Sequence, residues 1–326
     1  MKRTTIILSA ILIIQIIIFS LASIDRHHVQ KKEKFISVDS TDADYIKIVN
    51  ENGELVMRKV GARWKITEPY EWPANNSYIK TLLEKMQALE TETYITDNPD
   101  KYVLYELDEI AAKYVEFGKQ DGIVDKFYCG KASDSYSHTY IRKADTDKVY
   151  LVSGSPRSSF SRKPEQWRNK EVLKLDRTMI ERMVLTSPGE TIELKRSITA
   201  EQPVDGGTAI ADTSWEAIPS RGEAFVPVDK ALNRIMNTLK RFNAISFLDA
   251  GIDTIPDFSN PEFTIDVFME GDQKVKIDFI PKADEETRWI ARKDMNESTV
   301  FVVYQSSLKN LRKDVPSLKG EEEKEE

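Results

Sequence analysis

The stretch IKTLLEKMQAL at residues 79–89 decides how the rest of the chain is interpreted. Its apolar residues recur every three or four positions, which places their side chains on one face of an α-helix. A helix with one apolar face buries that face against another element. The same order of apolar residues returns at residues 232–242. The sequence therefore predicts two similar amphipathic helices, for which an internal duplication is the natural interpretation.

Each predicted helix follows a tryptophan and a proline. These flanking residues carry more weight than the apolar stripe, because many amphipathic helices share such a stripe by chance. The positions that define the repeat are Trp64, Pro69, Leu82 and Met86 in the first copy and Trp215, Pro219, Ile235 and Leu239 in the second.

Patterns typical of β-strands surround both helices. Short runs of β-branched and aromatic residues alternate with Gly, Asp and Ser turns, and Asn52-Gly53 marks a tight hairpin. We therefore predict an α+β fold with two similar modules, each an antiparallel sheet packed on an amphipathic helix. The predicted modules are residues 41–187 and 188–318, with a short helix near residues 178–183 at the end of the first. Residues 319–326 form an acidic tail that is expected to be disordered.

The amino terminus has the pattern of a membrane element. An apolar run from Thr4 to Ile24 contains no charge, and in a helix it is about as long as the hydrocarbon core of a bilayer is thick. We expect a transmembrane anchor over residues 1–24 that contacts the lipid bilayer through residues 4–24, and a juxtamembrane stalk over residues 25–40. A cleaved secretory signal is the alternative, because Ser20-Leu21-Ala22 has the small residues that a signal peptidase recognises. The length of the run favours retention.

The orientation across the membrane does not follow from counting basic residues. Lys and Arg flank the apolar run on both sides, with more on its carboxyl side. Long domains translocate largely regardless of charge, and a short basic tail before the first span is the usual form of a signal anchor. We expect a single-pass protein of the inner membrane with an extracytoplasmic soluble region.

Composition excludes several classes of protein. The net charge of −7 argues against a nucleic-acid-binding protein, which normally has a basic face. The single cysteine, Cys129, excludes an intramolecular disulfide, and three histidines are too few for the clusters that hold zinc. No phosphate-binding loop or dinucleotide fingerprint is present. We therefore expect no cofactor and no metal.

Three groups of polar residues resemble chemical sites. Ser133, Asp134, Ser137 and His138 include a nucleophile and a base, but neighbours on one loop seldom reach the geometry of a triad, and a polar turn is favoured. The Ser-rich run at residues 153–156 lacks the order of a nucleophile elbow. Three aspartates recur every four residues without the terminal glutamate of a calcium loop, which favours surface carboxylates; they are Asp249, Asp253 and Asp257.

Several segments together resemble a known family. They are Trp64 with Pro69, the helix at residues 79–89, Tyr140-Ile141-Arg142, Val149-Tyr150-Leu151 and Trp167-Arg168-Asn169-Lys170. With these the chain resembles the domain of unknown function 4340 family, as two tandem copies over about residues 45–315. The resemblance implies bacterial membrane-anchored proteins with an extracytoplasmic region, often found with ABC transporter components of the gliding-motility type. It implies no catalytic residues.

The expected function is that of a non-catalytic, membrane-anchored accessory or adaptor protein of the bacterial envelope. The expected partner, by the resemblance, is an ABC-transporter-type complex. An envelope hydrolase is one alternative. A peptide- or glycan-binding module is another, for which four tryptophans offer aromatic surfaces: Trp72, Trp167, Trp215 and Trp289.

Overall fold

A computed structural model describes residues 13–15, 33–119, 122–201, 210–283 and 285–321. The chain divides into two compact units, the first ending at Asn169 and the second beginning at Lys170. Each unit contains one large antiparallel sheet.

The first unit begins with the strands β1 (Tyr45–Asn50), β2 (Gly53–Val60), β3 (Arg63–Glu68) and β4 (Trp72–Pro73), followed by helix α1 (Asn76–Gln87). The next strands are β5 (Thr91–Thr96), β6 (Lys113–Lys119), β7 (Gly122–Ala132), β8 (His138–Lys143) and β9 (Val149–Ser153). A 3₁₀ helix (Pro99–Tyr105) lies between β5 and β6, and helix α2 (Arg157–Phe160) and a 3₁₀ helix (Pro164–Trp167) close the unit. The strand order in the sheet is β4-β3-β2-β1-β6-β7-β8-β9-β5.

The hairpin of β1 and β2 confirms the prediction made from Asn52-Gly53. The side chain of Asn50 accepts a hydrogen bond from the Asn52 amide at 2.7 Å, and Gly53 has φ +106°. Because only glycine adopts that φ without steric cost, the turn depends on it. The apolar side chains of the sheet and the stripe of α1 form one buried cluster, which includes Ile46, Ile48 and Leu82.

The second unit contains β10 (Glu171–Leu173), a 3₁₀ helix (Arg177–Met179), β11 (Ile180–Ser187), β12 (Glu190–Glu201), β13 (Ile210–Pro219) and α3 (Asp229–Lys240). It continues with β14 (Phe242–Asn243), β15 (Ser246–Asp249), β16 (Phe263–Met269), β17 (Gln273–Pro281), β18 (Arg288–Lys293), β19 (Thr299–Tyr304), α4 (Gln305–Leu311) and α5 (Val315–Lys319). The large sheet has the order β13-β12-β11-β16-β17-β18-β19-β15, and β10 pairs with β14 separately.

The two sheets have matching topology. From one edge of the sheet to the other, β3, β2 and β1 correspond to β13, β12 and β11, and β6, β7, β8, β9 and β5 correspond to β16, β17, β18, β19 and β15. In the first unit Lys59 pairs with Trp64, and the Lys59 ammonium donates to the Thr41 carbonyl at 3.3 Å. In the second unit Arg196 pairs with Trp215 and donates to the Thr178 carbonyl. The match therefore extends from strand order to individual side-chain contacts.

Matching segments also close the two units. The amide of Asn75, before α1, donates to the Trp167 carbonyl at 2.7 Å. The amide of Val228, before α3, donates to the Leu318 carbonyl at 2.8 Å. In both units the segment that follows β9 or β19 in the sequence therefore returns to the start of the long helix, α1 or α3.

The predicted repeat positions occupy corresponding places. Leu82 and Met86 are buried on α1, and Ile235 and Leu239 are buried on α3. Trp64 is buried on β3 and Trp215 is buried on β13. Pro219 is the last residue of β13, and Pro69 follows β3 across a cis peptide bond.

The predicted α+β class is wrong, because both units are mostly β. Each contains one 12-residue helix, α1 or α3, against a sheet of nine or eight strands. The helical stripes dominate the sequence pattern because a 3.6-residue period extends over many residues. Strands of two to twelve residues nevertheless account for more of the chain.

A second correction concerns the transmembrane helix and signal anchor predicted over residues 4–24. A span requires about 20 apolar residues in one helix. Of the predicted span, the structure describes residues 13–15, as helix. Among all described residues no helix is long and apolar enough to cross a membrane. The prediction of an anchor is therefore not supported.

The segments next to the predicted domain boundaries also differ from expectation. Residues 180–187 form strand β11 and not a helix, because pairing with β12 and β16 outweighs the helix propensity of Glu181-Arg182-Met183. This pairing places β11 in the second unit. The predicted stalk at residues 25–40 is described from residue 33, and there Phe35 and Val38 are buried. Most of the predicted tail, residues 322–326, lies outside the described residues.

Candidate functional site

A chain of hydrogen bonds connects Ser137, His138 and Glu92 in the first unit. The Ser137 hydroxyl lies 2.8 Å from His138 Nδ1, and His138 Nε2 lies 2.6 Å from Glu92 Oε2. Strand β9 pairs with β8 on one side and β5 on the other, which brings Glu92 of β5 close to His138 of β8. The hydrogen bonds continue from the Ser137 hydroxyl to the Ser135 hydroxyl at 2.8 Å, and from the Ser135 hydroxyl to the Ser133 hydroxyl at 3.0 Å.

This arrangement has the order of nucleophile, base and orienting carboxylate. With the imidazole protonated at Nε2, His138 donates to Glu92, and Nδ1 accepts from the Ser137 hydroxyl. The sequence brought Ser137 and His138 to notice but missed Glu92, because strand pairing alone brings it near. Asp134, the predicted fourth member, is exposed. Ser137 is also exposed and lies on a turn, so this hydrogen-bond network is open to solvent.

The hairpin of β17 and β18 in the second unit corresponds to this place but lacks a counterpart of the Ser137, His138 and Glu92 hydrogen bonds among its described residues. Strand β18 begins with Arg288, whose Nε lies 3.4 Å from Glu285. The second unit contains no histidine, so the shared topology does not require a serine, a histidine and a carboxylate at this place.

Both sheets hold a buried arginine at the same register. Arg142 on β8 pairs with Tyr128, and its guanidinium lies 4.3 Å from the centre of that ring. Arg292 on β18 pairs with Asp278, and Nη2 donates to the carboxylate at 2.8 Å. Asp278 also accepts from Thr264 at 2.9 Å. A buried ion pair surrounded by hydrogen bonds is a structural device that keeps two charges satisfied in the core.

The second unit contains a cavity of about 510 Å³ next to Trp215. Arg177, Arg196 and Asp229 are among the residues that line it. Arg196 donates to Glu270 at 2.9 Å, whereas Arg177 donates to the neutral amide of Asn233 at 2.6 Å. The guanidinium of Arg196 therefore has a charged partner, whereas that of Arg177 has an uncharged one.

The remaining predicted groups behave as structural residues. Cys129 is buried in the core, and burial raises the pKa of its thiol to about 12, which keeps it protonated and unreactive at neutral pH. Asp253 accepts from the Asp249 amide at 2.9 Å, and Asp257 accepts from the Ser259 amide at 2.9 Å. Among the described residues no group of three or more His, Cys, Asp or Glu could hold a metal ion.

The tryptophans expected to form an aromatic surface lie mostly inside. Trp167 and Trp215 are buried, and Trp72 and Trp289 are half-buried. The indole of Trp72 donates to the Asn169 carbonyl at 3.1 Å, so it holds the closing segment of the first unit in place.

Together these features define a mostly β protein of two topologically matching units, with a polar hydrogen-bond chain on the first and a charged cavity in the second. The chain belongs to the family described as Domain of unknown function (DUF4340), whose model matches residues 64–260. The match begins in β3 of the first unit and ends after β15 of the second. No curated protein and no solved structure matches the chain.

Proposed function

We propose that the protein is an accessory or adaptor protein of the bacterial envelope, with its two units on the extracytoplasmic side, and that it binds an ABC-transporter-type complex. Membership of the DUF4340 family supports the envelope setting through the association that the resemblance implies. The matching strand order of the two sheets supports the further proposal that the units are tandem copies of one ancestral module.

The observation that carries the binding role is an exposed apolar segment, defined here as residues 99–112, between β5 and β6. Val103, Leu104 and Ile110 on this segment are 69%, 60% and 97% exposed. The segment is nevertheless held in place, because Leu107 is fully buried and the Tyr102 hydroxyl donates to the Asp147 carbonyl at 3.0 Å. An ordered segment that presents several large apolar side chains to water is typical of a protein interface.

Charge substitution on this segment tests the proposal. We expect Leu104→Asp combined with Ile110→Asp to reduce recovery of transporter subunits about tenfold when the protein is cross-linked in cells, purified and analysed by quantitative mass spectrometry. Val60→Asp is the matched control, because Val60 is also 60% exposed but is the last residue of β2, outside this segment. Equal recovery with the double variant and with the control would contradict binding through this segment.

A second candidate function, an envelope hydrolase, is favoured by the geometry of Ser137, His138 and Glu92. In that role Ser137 would attack an ester carbonyl while His138 takes the hydroxyl proton. A fluorophosphonate probe distinguishes the two functions, because it modifies activated serines. Labelling of Ser137 that is lost in Glu92→Gln, but retained in the control Ser155→Ala, would favour the hydrolase. Labelling that is no stronger at Ser137 than at the exposed Ser155 would contradict the hydrolase function and favour the adaptor role.

A further inference from the structure

Arg142 in the first unit is a buried cation, 9% exposed, without a carboxylate partner among the described residues. Its guanidinium lies between two tyrosine rings, 4.3 Å from the centre of the Tyr128 ring and 4.4 Å from that of Tyr102. The one hydrogen bond of this side chain within the described residues is long, at 3.4 Å from Nη1 to the Thr146 carbonyl. Aromatic rings attract a cation through their faces but accept none of its in-plane hydrogen bonds. Most donors of the guanidinium are therefore unused.

The corresponding arginine of the second unit is paired with two carboxylates. Arg292 occupies the register of Arg142, and Asp278 occupies that of Tyr128. Asp278 accepts from Arg292 Nη2 at 2.8 Å. Glu297, five residues after Arg292 in the sequence, accepts from Nη1 at 3.0 Å. The fold therefore satisfies a buried arginine at this place with carboxylates of its own when it has them.

Neither carboxylate has an equivalent on Arg142. Tyr128 stands at the place of the first. Asp147 stands at the place of the second, but its carboxylate accepts from the Tyr102 hydroxyl at 3.1 Å and forms no ion pair with Arg142 in the described part of the chain. Buried polar groups rarely lack a partner, so this arginine is costly to keep unless a group from outside the chain satisfies it.

The free donors of Arg142 lie next to the exposed apolar segment. Nε is closed off from solvent and has no hydrogen-bond partner, whereas Nη2 has no partner among the described residues but is not closed off. Tyr102, which covers one face of the guanidinium, belongs to the exposed apolar segment and is followed there by Val103 and Leu104. A partner that covers these two side chains would therefore also lie beside Arg142.

We propose that Arg142 binds a carboxylate of the partner that covers the exposed apolar segment. A carboxylate presents two acceptor oxygens in one plane, which matches the fork of donors on a guanidinium and supplies what Asp278 supplies to Arg292. The two tyrosine rings hold the guanidinium in one orientation in advance, which lowers the entropic cost of binding. Charge complementarity thus names an acidic side chain or a chain terminus as the occupant. This inference rests on the proposed binding role of the segment.

NMR spectroscopy of the full natural chain, isotope-labelled at arginine, tests the proposal. The probes are N-acetylglutamate α-methylamide, which presents a side-chain carboxylate, and N-acetylalanine, which presents a terminal one. The neutral probe is N-acetylglutamine methylamide. We expect a saturable shift of the Arg142 Nε–H signal, assigned by its loss in Arg142→Lys, with at least one carboxylate and not with the neutral probe. The carboxylate with the lower midpoint indicates which of the two groups the partner presents.

Two other arginines are controls in the same spectra. Arg292 should not shift, because its donors are already used by Asp278 and Glu297. Arg221, which is exposed, reports non-specific ionic contact, and its midpoint should be at least about tenfold higher than that of Arg142. Equal midpoints at Arg142 and Arg221, or an equal response to the neutral probe, would overturn the proposal.

Cross-linking in cells separates this inference from the proposed function. Arg142→Met keeps the length of the side chain and removes an unpaired charge, so it should not lower the midpoint of urea denaturation, yet it should reduce recovery of transporter subunits about tenfold. Full recovery with Arg142→Met, together with loss in the Leu104→Asp and Ile110→Asp double variant, would overturn this inference and leave the proposed function standing. Full recovery with both, together with a saturable Arg142 shift, would overturn the proposed function and leave carboxylate binding standing.

Discussion

Replacing Ile235 by Ala should destabilise the second unit strongly. Ile235 lies at the centre of the apolar stripe of α3 and is fully buried. The substitution removes three carbon atoms from the core, which costs about 2.5 kcal/mol at roughly 0.8 kcal/mol for each buried methylene. The cavity that remains adds roughly 1 to 2 kcal/mol, because the surrounding side chains relax only partly. We expect a total loss of about 4 kcal/mol in the free energy of unfolding.

Urea denaturation of the full chain, followed by circular dichroism, measures this loss. Because the two compact units can unfold separately, the urea curve can contain two unfolding transitions, and each must be fitted with its own midpoint. Asn237→Ala on the exposed face of the same helix is the matched control and should change the free energy by less than about 0.5 kcal/mol. Leu82→Ala, at the corresponding place on α1, should cost a similar amount in the other unit. Losses below about 1 kcal/mol at both Ile235 and Leu82 would refute the assignment of these stripes to the core.

Two further predictions concern charged groups. Asp278→Ala should cost about 1.5 to 3 kcal/mol in the same denaturation assay, because the buried Arg292 loses the carboxylate that now accepts at 2.8 Å and keeps Glu297 at 3.0 Å. A loss below about 1 kcal/mol would contradict this. Hydrogen bonds from the Thr178 amide and hydroxyl lower the pKa of Asp176 in the folded protein. The ionised Asp176 therefore stabilises the fold at pH values above the pKa that this carboxyl has in the unfolded chain, and the stabilisation is lost as the pH falls through its lower pKa in the folded protein. Carboxyl NMR should give a titration midpoint below 3.8 that rises in Thr178→Ala, and a midpoint at or above 3.8 in the natural chain would contradict the assignment.

The sequence by itself determined the local elements. The three-and-four spacing of Leu82 and its neighbours predicted α1, and the same spacing around Ile235 predicted α3. Asn52-Gly53 predicted the first hairpin, because a turn with positive φ needs such residues. These signals succeed because each depends on backbone geometry within a few residues of the chain.

The tertiary structure decided which distant residues meet. Glu92 reaches His138 across 46 positions of sequence because β9 pairs with both of their strands. The Asp125 carboxylate accepts from the Val38 amide across 87 positions, which buries a segment expected to be a solvated stalk. No periodicity in the sequence encodes such contacts, since they depend on strand order in the finished sheet.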